Sequence, residues 1–260
     1  MLCSKIIEEI EKAYDRAYGM EGDNVGLLTG RTTREVKYIY VAVDAVGETI
    51  QRAKEAGADM LLTHHPIIYG SLRQITDQTA LGRNLLYLIE NGIPCYALHT
   101  NYDVISMAEK ASDRLRLVRR EVLLPTCEEA GKQMGIGQVG ELPEEMLLKD
   151  LAAVVKKAFQ AEGIRTFGRP EKKIRKVAIC PGSGRSALES ALKKGADVLI
   201  TGDIGHHDGL DAMEQGMAVM DAGHYGIEQI FLQDLTEELR RMFPDITVTA
   251  EERHSPFFVS

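Results

Sequence analysis

The feature that most constrains the fold is a pattern that occurs twice. VAVDAVGETIQRAKEAGADMLLTHH (residues 41–65) can be laid beside VAICPGSGRSALESALKKGADVLITGD (residues 177–203), the second carrying two extra residues. Each opens with Val-Ala in an apolar run, passes through a stretch of helical spacing to Gly-Ala-Asp, and ends in a second apolar run closed by Thr. A looser pair follows, NGIPCYALHTNYD (91–103) beside QGMAVMDAGHYGIE (215–228). Val41 and Val177 are 136 positions apart, and Gly57 and Gly195 are 138 apart. Solenoid repeats have periods of roughly 20–50 residues, so this spacing predicts two related α/β halves instead.

The local signals agree. Short apolar runs at 36–43, 60–63 and 93–98 read as strands, and 48–56 and 81–90 read as helices closed by Gly57 and by Asn91-Gly92. Residues 4–18 read as an amphipathic helix with Ile6, Ile7, Ile10 and Tyr14 on one stripe, and 21–30 as turns. In the second half 177–179 and 198–201 read as strands, with a helix over 187–194. The stretch 121–175 differs in texture: GIGQVGEL (135–142) is rich in glycine, and a helix is predicted from about 144 to 161. Short strands alternating with helices predict an α/β sheet that is at least partly parallel. The expected boundaries are an N-terminal α/β half over 1–125 and a C-terminal one over 126–260, closing as one compact unit.

Composition narrows the function. Lys plus Arg number 31 against 39 Asp plus Glu, a net charge of −8, which argues against salt-dependent binding to nucleic acid. No apolar run approaches the roughly 18 residues of a membrane span, and the charged N-terminus lacks the apolar centre of a signal peptide. Cys3, Cys95, Cys127 and Cys180 are widely separated, which fits reduced thiols and a cytoplasmic location.

Six of the seven histidines fall at predicted strand ends or helix starts, where open α/β sheets bind ligands. In Thr63-His64-His65-Pro66 both imidazoles converge only if the chain leaves the strand there; otherwise one is buried and one faces solvent. His99-Thr100-Asn101-Tyr102-Asp103 places a carboxylate just past a strand, as a cation ligand or a turn former. His224 and Glu228 are four apart, on one face of a helix, as ligands or as an ordinary polar pair. Together, three imidazoles and two carboxylates make an N/O set suited to zinc, manganese, iron or cobalt. Five ligands exceed the usual number for one catalytic zinc and suit two divalent metal ions roughly 3.5–4 Å apart. Two such cations with Asp103 and Glu228 leave about +2, attractive to a small anionic or nucleotide substrate. His206 and His207 open a predicted helix, as proton carriers or as polar residues of a helix start. Residues 181–186 (PGSGRS) read as a tight strand–helix turn in preference to an anion cradle.

DNVGLLTG (23–30), LLTHHPIIYG (61–70), HTNYD (99–103), GIGQVGEL (135–142) and DAGHYGIEQ (221–229) occur in that order. In these motifs, from about residue 5 to the C-terminus, the chain resembles the GTP cyclohydrolase 1 type 2 homologue family, the Nif-three-like dinuclear metal centre proteins. It departs at Gln138, where the family often carries Arg, and the middle domain inserted in longer members is absent. The resemblance implies an α/β fold of two halves with a dinuclear metal site at their interface. It implies metal ligation by His64, His65, Asp103, His224 and Glu228, and a ring-shaped homohexamer. The expected activity is metal-assisted hydrolysis, with His99, His206 or His207 carrying protons in catalysis. On GTP, hydroxide would attack C8 of the guanine and a second hydration would release formate; on phosphate esters the same centre would act as a phosphoesterase. The alternative is a non-enzymatic metal-binding scaffold, storage or regulatory interaction protein.

Overall fold

Short runs of Val, Ile, Leu and Met become strands buried on both faces, as parallel strands covered by helices are. The computed structural model describes residues 1–253, so His254 lies outside the described residues. The chain runs α1 (Cys3–Ala13), a 3₁₀ turn (Arg16–Tyr18), β1 (Gly26–Thr29), β2 (Tyr38–Ala42), α2 (Gly47–Glu55), β3 (Met60–Thr63), α3 (Ala80–Glu90), β4 (Cys95–Ala97) and α4 (Thr100–Tyr102). A π-helical turn (Asp103–Met107) leads into α5 (Ala108–Arg114), β5 (Val118–Glu129) and β6 (Lys132–Leu147). There follow α6 (Leu148–Ala158), β7 (Arg165–Phe167), β8 (Lys173–Ser183), a 3₁₀ turn (Arg185–Ala187), α7 (Leu188–Lys193), β9 (Val198–Gly202), α8 (His206–Glu214), β10 (Ala218–Asp221), α9 (His224–Glu228), α10 (Ile230–Met242) and β11 (Thr247–Ala250).

The elements form a mixed α/β fold with two sheets, of order β1-β4-β3-β2-β11 and β5-β6-β8-β9-β10-β7. In the first, β2, β3 and β4 are parallel, β1 is antiparallel on the β4 edge, and β11 pairs in parallel with β2. In the second, β8, β9 and β10 are parallel, β7 is antiparallel on the β10 edge, and β6 pairs antiparallel with β8. The order β1-β4-β3-β2 therefore has the same pattern as β7-β10-β9-β8. The helices before, between and after these strands follow the same sequence, from α1 to α4 and from α6 to α9.

Two compact units result. One comprises Met1–Tyr102 and the stretch from Phe231; the other comprises Asp103–Ile230. A boundary at 125/126 falls inside β5, because the strand pair β5–β6 belongs to the second sheet while β11 returns to the first. The core of the first unit includes Ile50, Leu61, Leu85, Leu88 and Ile93. That of the second includes Leu123, Val139, Ala178, Leu199 and Val219.

Most predicted elements appear within a few residues, but the middle of the chain differs. GIGQVGEL lies inside β6, and the helix expected from about 144 begins at Leu148. The glycines serve close cross-strand approach: a Cβ at Gly135 would lie 1.9 Å from the Leu124 carbonyl oxygen, and one at Gly137 2.9 Å from that of Ile179. Among the described residues, no helix is long and apolar enough to cross a membrane.

Candidate metal centre

In the first unit the chain leaves β3 after Thr63, whose hydroxyl donates to the His65 carbonyl oxygen at 2.8 Å. This turn lets both adjacent imidazoles point the same way. His64 is fully buried, packed against Tyr102 and Phe231. Its ring centroid is 4.9 Å from that of His65 and 5.3 Å from that of His99, and His65 and His99 are 5.6 Å apart. One potential ligand atom from each of the three lies within 4.8 Å of the others.

Each imidazole is oriented through Nδ1. His64 Nδ1 is 2.8 Å from the Leu98 carbonyl oxygen, His65 Nδ1 is 2.8 Å from Asp44 Oδ1, and His99 Nδ1 is 2.8 Å from Asp23 Oδ1. A carbonyl or carboxylate oxygen only accepts, so Nδ1 carries the proton and Nε2 presents its lone pair. This is the arrangement that metal-ligating histidines use. Burial alone would raise the Asp23 carboxyl, but hydrogen bonds from His99 and Thr100 outweigh it and hold the group down at about 2. Asp23 is therefore an anion at neutral pH.

In the second unit, Gly223 (φ 81°) turns the chain from β10 into α9, and Asp221 fixes that turn by accepting from the Gly223 amide at 3.1 Å. His224 and Glu228 lie one helical turn apart, with Glu228 buried. His224 Nδ1 is 2.7 Å from Asp203 Oδ2, and Nε2 is 3.0 Å from Glu228 Oε2. Asp203 holds a left-handed conformation (φ 55°), uncommon outside glycine. His224 thus has a carboxylate oxygen close to each ring nitrogen, and a proton on Nε2 or on Glu228, or a cation between them, satisfies the Nε2 contact. The end of β8 closes on this pair. A Cβ at Gly182 (φ +75°) would lie 2.4 Å from Glu228 Oε1 and 3.6 Å from His224 Nε2. The Cys180 thiol is pushed up to about 12, first by burial and then by the charges of Asp103 and Glu228, so both carboxylates lie in its electrostatic neighbourhood. Asp103 opens the π-helical turn, an irregularity frequent at functional sites. The donor chemistry of both units fits divalent cations: imidazoles held at Nδ1 by oxygen acceptors, and carboxylates beside them.

The family model for DUF34/NIF3 (NGG1p interacting factor 3) matches residues 1–256. The chain belongs to the DUF34/NIF3 family. A relative from Clostridium acetobutylicum named GTP cyclohydrolase 1 type 2 homolog is 38% identical over 209 residues, 79% of this chain and 77% of that protein. One of the same name from Clostridium perfringens is 33% identical over 90% of each. The crystal structure of a Bacillus cereus protein related to NIF3 superposes with a TM-score of 0.95 at 25% identity, covering 100% of this chain and 99% of that one.

Within this DUF34/NIF3 chain, His64 and His65 converge in the first unit, and His224 and Glu228 in the second. His99, expected as a proton carrier, joins the imidazole group of His64 and His65. His206 and His207 are exposed at the start of α8, their rings 5.3 Å apart and edge to face. Among the described residues they belong to no convergent group of ligand atoms. The sequence assigns no role to Asp23, Asp44 and Asp203, the acceptors that orient three imidazoles, and it reads Gly182 only as part of a tight turn. Each lies in a stretch quoted above, but nothing in the local sequence links it to its imidazole or carboxylate partner.

Proposed function

We propose that this DUF34/NIF3 protein is a metal-dependent hydrolase. In this reading His64, His65, Asp103, His224 and Glu228 hold two divalent metal ions, zinc, manganese, iron or cobalt. The observation that carries it is His224, whose nitrogens lie 2.7 Å and 3.0 Å from carboxylate oxygens. The imidazole trio of the first unit and the names of the relatives support it. The shared strand order of the two sheets supports the duplication. When bound, divalent cations supply Lewis acidity, making water a nucleophile near neutral pH and polarising the bond it attacks.

The chain's own residues do the rest. The Nδ1 acceptors hold His64, His65 and His224 in the ligand tautomer. His99 is the proton carrier the geometry favours: the Asp23 anion at Nδ1 stabilises the imidazolium formed when Nε2 takes a proton. His206 and His207 lack such an orienting carboxylate among the described hydrogen bonds. The substrate is a small anion or nucleotide, with GTP ring opening and phosphoester hydrolysis as the two chemistries. The protein is proposed to be cytoplasmic and to form a homohexamer, which light scattering would read as about six times 28.8 kDa.

Elemental analysis after purification without chelator tests the ligand set: near two metal ions per chain are expected, and fewer for Glu228→Ala or Asp103→Ala. A panel of GTP, other nucleotides and phosphodiesters with manganese, iron or zinc then separates the chemistries. Formate with a ring-opened product marks a cyclohydrolase; nucleoside or orthophosphate marks a phosphoesterase. Two bound metals with no turnover across the panel would overturn the hydrolase reading in favour of a metal-binding scaffold.

A further inference from the structure

His224 and Asp203 meet although they stand on different connections, Asp203 after β9 and His224 after β10. One carboxylate joins those connections. Asp221 Oδ1 accepts from the Gly223 amide at 3.1 Å, and Oδ2 accepts from the Ile204 amide at 3.2 Å. Gly223 immediately precedes His224, and Ile204 immediately follows Asp203. The group that holds Asp221 comes from the edge of the sheet. Arg165 opens β7 directly opposite Asp221, so the two side chains share a face. Its Nη2 lies 2.7 Å from Asp221 Oδ2 and also donates to the Ile204 carbonyl oxygen. Both backbone groups of Ile204 are therefore engaged. The guanidinium is seated as well. Its carbon stands 5.4 Å from the centroid of the Phe167 ring, and α8 packs so closely on that ring that a Cβ at Gly209 would lie 2.5 Å from it.

Asp203 needs such support. It holds φ 55°, and a left-handed residue other than glycine persists only where its surroundings over-determine it. The Asp221 side chain is only 12% exposed, so little water competes for its hydrogen bonds. The first unit has a counterpart at the same place in its sheet. Asp23, just ahead of the edge strand β1, accepts from the Thr100 amide at 3.2 Å and from His99 Nδ1. In each unit a charged side chain at the start of the antiparallel edge strand thus fixes the connection beyond the neighbouring parallel strand. We infer that Arg165 is a positioning residue for His224: through Asp221 it locks the connection that carries Asp203 to the turn that carries the imidazole. The geometry stands by itself, and its consequence for metal affinity rests on the metal-binding reading of the proposed function.

Histidine labelled with nitrogen-15 makes this visible without a metal. In the metal-free wild type the His224 Nδ1 proton, held by Asp203, should give a resonance protected from exchange, assigned by its loss in His224→Gln. Arg165→Ala should expose that proton to water and leave the His64 and His65 Nδ1 resonances in place. Arg165→Lys keeps a cationic donor and should restore protection in part. In chelator competition with zinc or manganese, Arg165→Ala should weaken binding about tenfold, as the loss of an outer-shell partner does. Asp221→Asn should show both effects, and adding Arg165→Ala to it should weaken binding no further, because the two side chains act as a unit. Arg119→Ala, which breaks an exposed pair with Glu141, should change neither readout. The inference is overturned if Arg165→Ala keeps either the protected His224 resonance or the wild-type affinity. It is also overturned if the His64 and His65 resonances are lost along with that of His224 in both Arg165→Ala and Asp221→Asn, or if the wild type shows no protected His224 proton. A wild type that binds no metal loses the metal-dependent hydrolase reading and leaves the resonances to judge Arg165. A wild type that binds metal no better than Arg165→Ala loses the positioning role alone.

Discussion

Among the described residues, four imidazoles have an oxygen acceptor at Nδ1, and three of those acceptors are aspartates distant in sequence. Asp44 is 21 residues from His65, Asp203 is 21 from His224, and Asp23 is 76 from His99. Outer-shell partners of this kind typically alter metal affinity 10–100-fold when removed. Asp44→Ala and Asp203→Ala should each weaken metal binding by about that factor in a chelator competition, whereas Asp59→Ala, which loses only its links to Arg34 and Lys37, should not. Asp23 makes a separate prediction. Its pKa is depressed from 3.8 to about 2, so the ionised form stabilises the fold at pH above 3.8 and that contribution is lost as the pH falls toward 2. A depression of that size corresponds to about 2 kcal/mol. Acid titration of stability should show this loss for the wild type, and Asp23→Asn, less stable at pH 7, should lack it. Residue by residue, His64, His65, His224 and Glu228 could be singled out because each stands at a strand end or at helical spacing from another, and each joins a group of converging ligand atoms. The orienting aspartates could not, because an aspartate that holds a distant imidazole looks in sequence like any turn former.

At the scale of elements, the parallel strands and their helices could be read from apolar runs and from helical stretches closed by Gly-Ala-Asp or Asn-Gly, and β2, β3, β4, β9 and β10 lie where the apolar runs occur. The strand pair β5–β6 could not, because its glycines imitate a loop. In β6 they are set by backbone crowding, with the Leu124 and Ile179 carbonyls where side chains would otherwise stand. The same logic governs the end of β8. PGSG reads as a turn, and its further role is to let the strand pass against a carboxylate. Gly182→Ala adds a Cβ 2.4 Å from Glu228 Oε1 at a φ of +75°. The left-handed conformation alone costs a non-glycine residue of order 1–3 kcal/mol. The carboxylate must also move off its position beside His224. Gly182→Ala should therefore lower the thermal midpoint and lose metal together, whereas Gly195→Ala, at φ +67° with open space around it, should lower the midpoint and keep the metal.

For the molecule as a whole, the pattern that occurs twice in the sequence predicts two halves in succession, but the chain does not use its strands in succession. After α5 the chain contributes β5 and β6 to the second sheet, where β6 pairs with β8. After α10 it contributes β11 to the first sheet, where it pairs with β2. Each sheet thus borders its first parallel strand with a strand drawn from beyond the opposite run of elements. The bond is more than an edge pairing in the first unit. Glu251, just past β11, is buried, and its carboxylate accepts from the Val43 amide at 2.9 Å and the Thr49 hydroxyl at 3.3 Å, closing the turn that carries Asp44. Sequence periodicity cannot reveal such an exchange, since pairing partners are chosen by edges that exist only once the sheets form. The consequence is testable by dividing the chain at 125/126, which cuts β5 and separates β11 from β2. Fragment 1–125 would expose the β2 edge and leave Val43 without its buried acceptor, and 126–260 would carry β11 with no parallel partner. Neither fragment should show a cooperative melt by circular dichroism, and co-expression of the two should restore one. A cooperative transition in either fragment alone would mean that the halves fold independently and that the exchanged strands are late additions to units already stable without them.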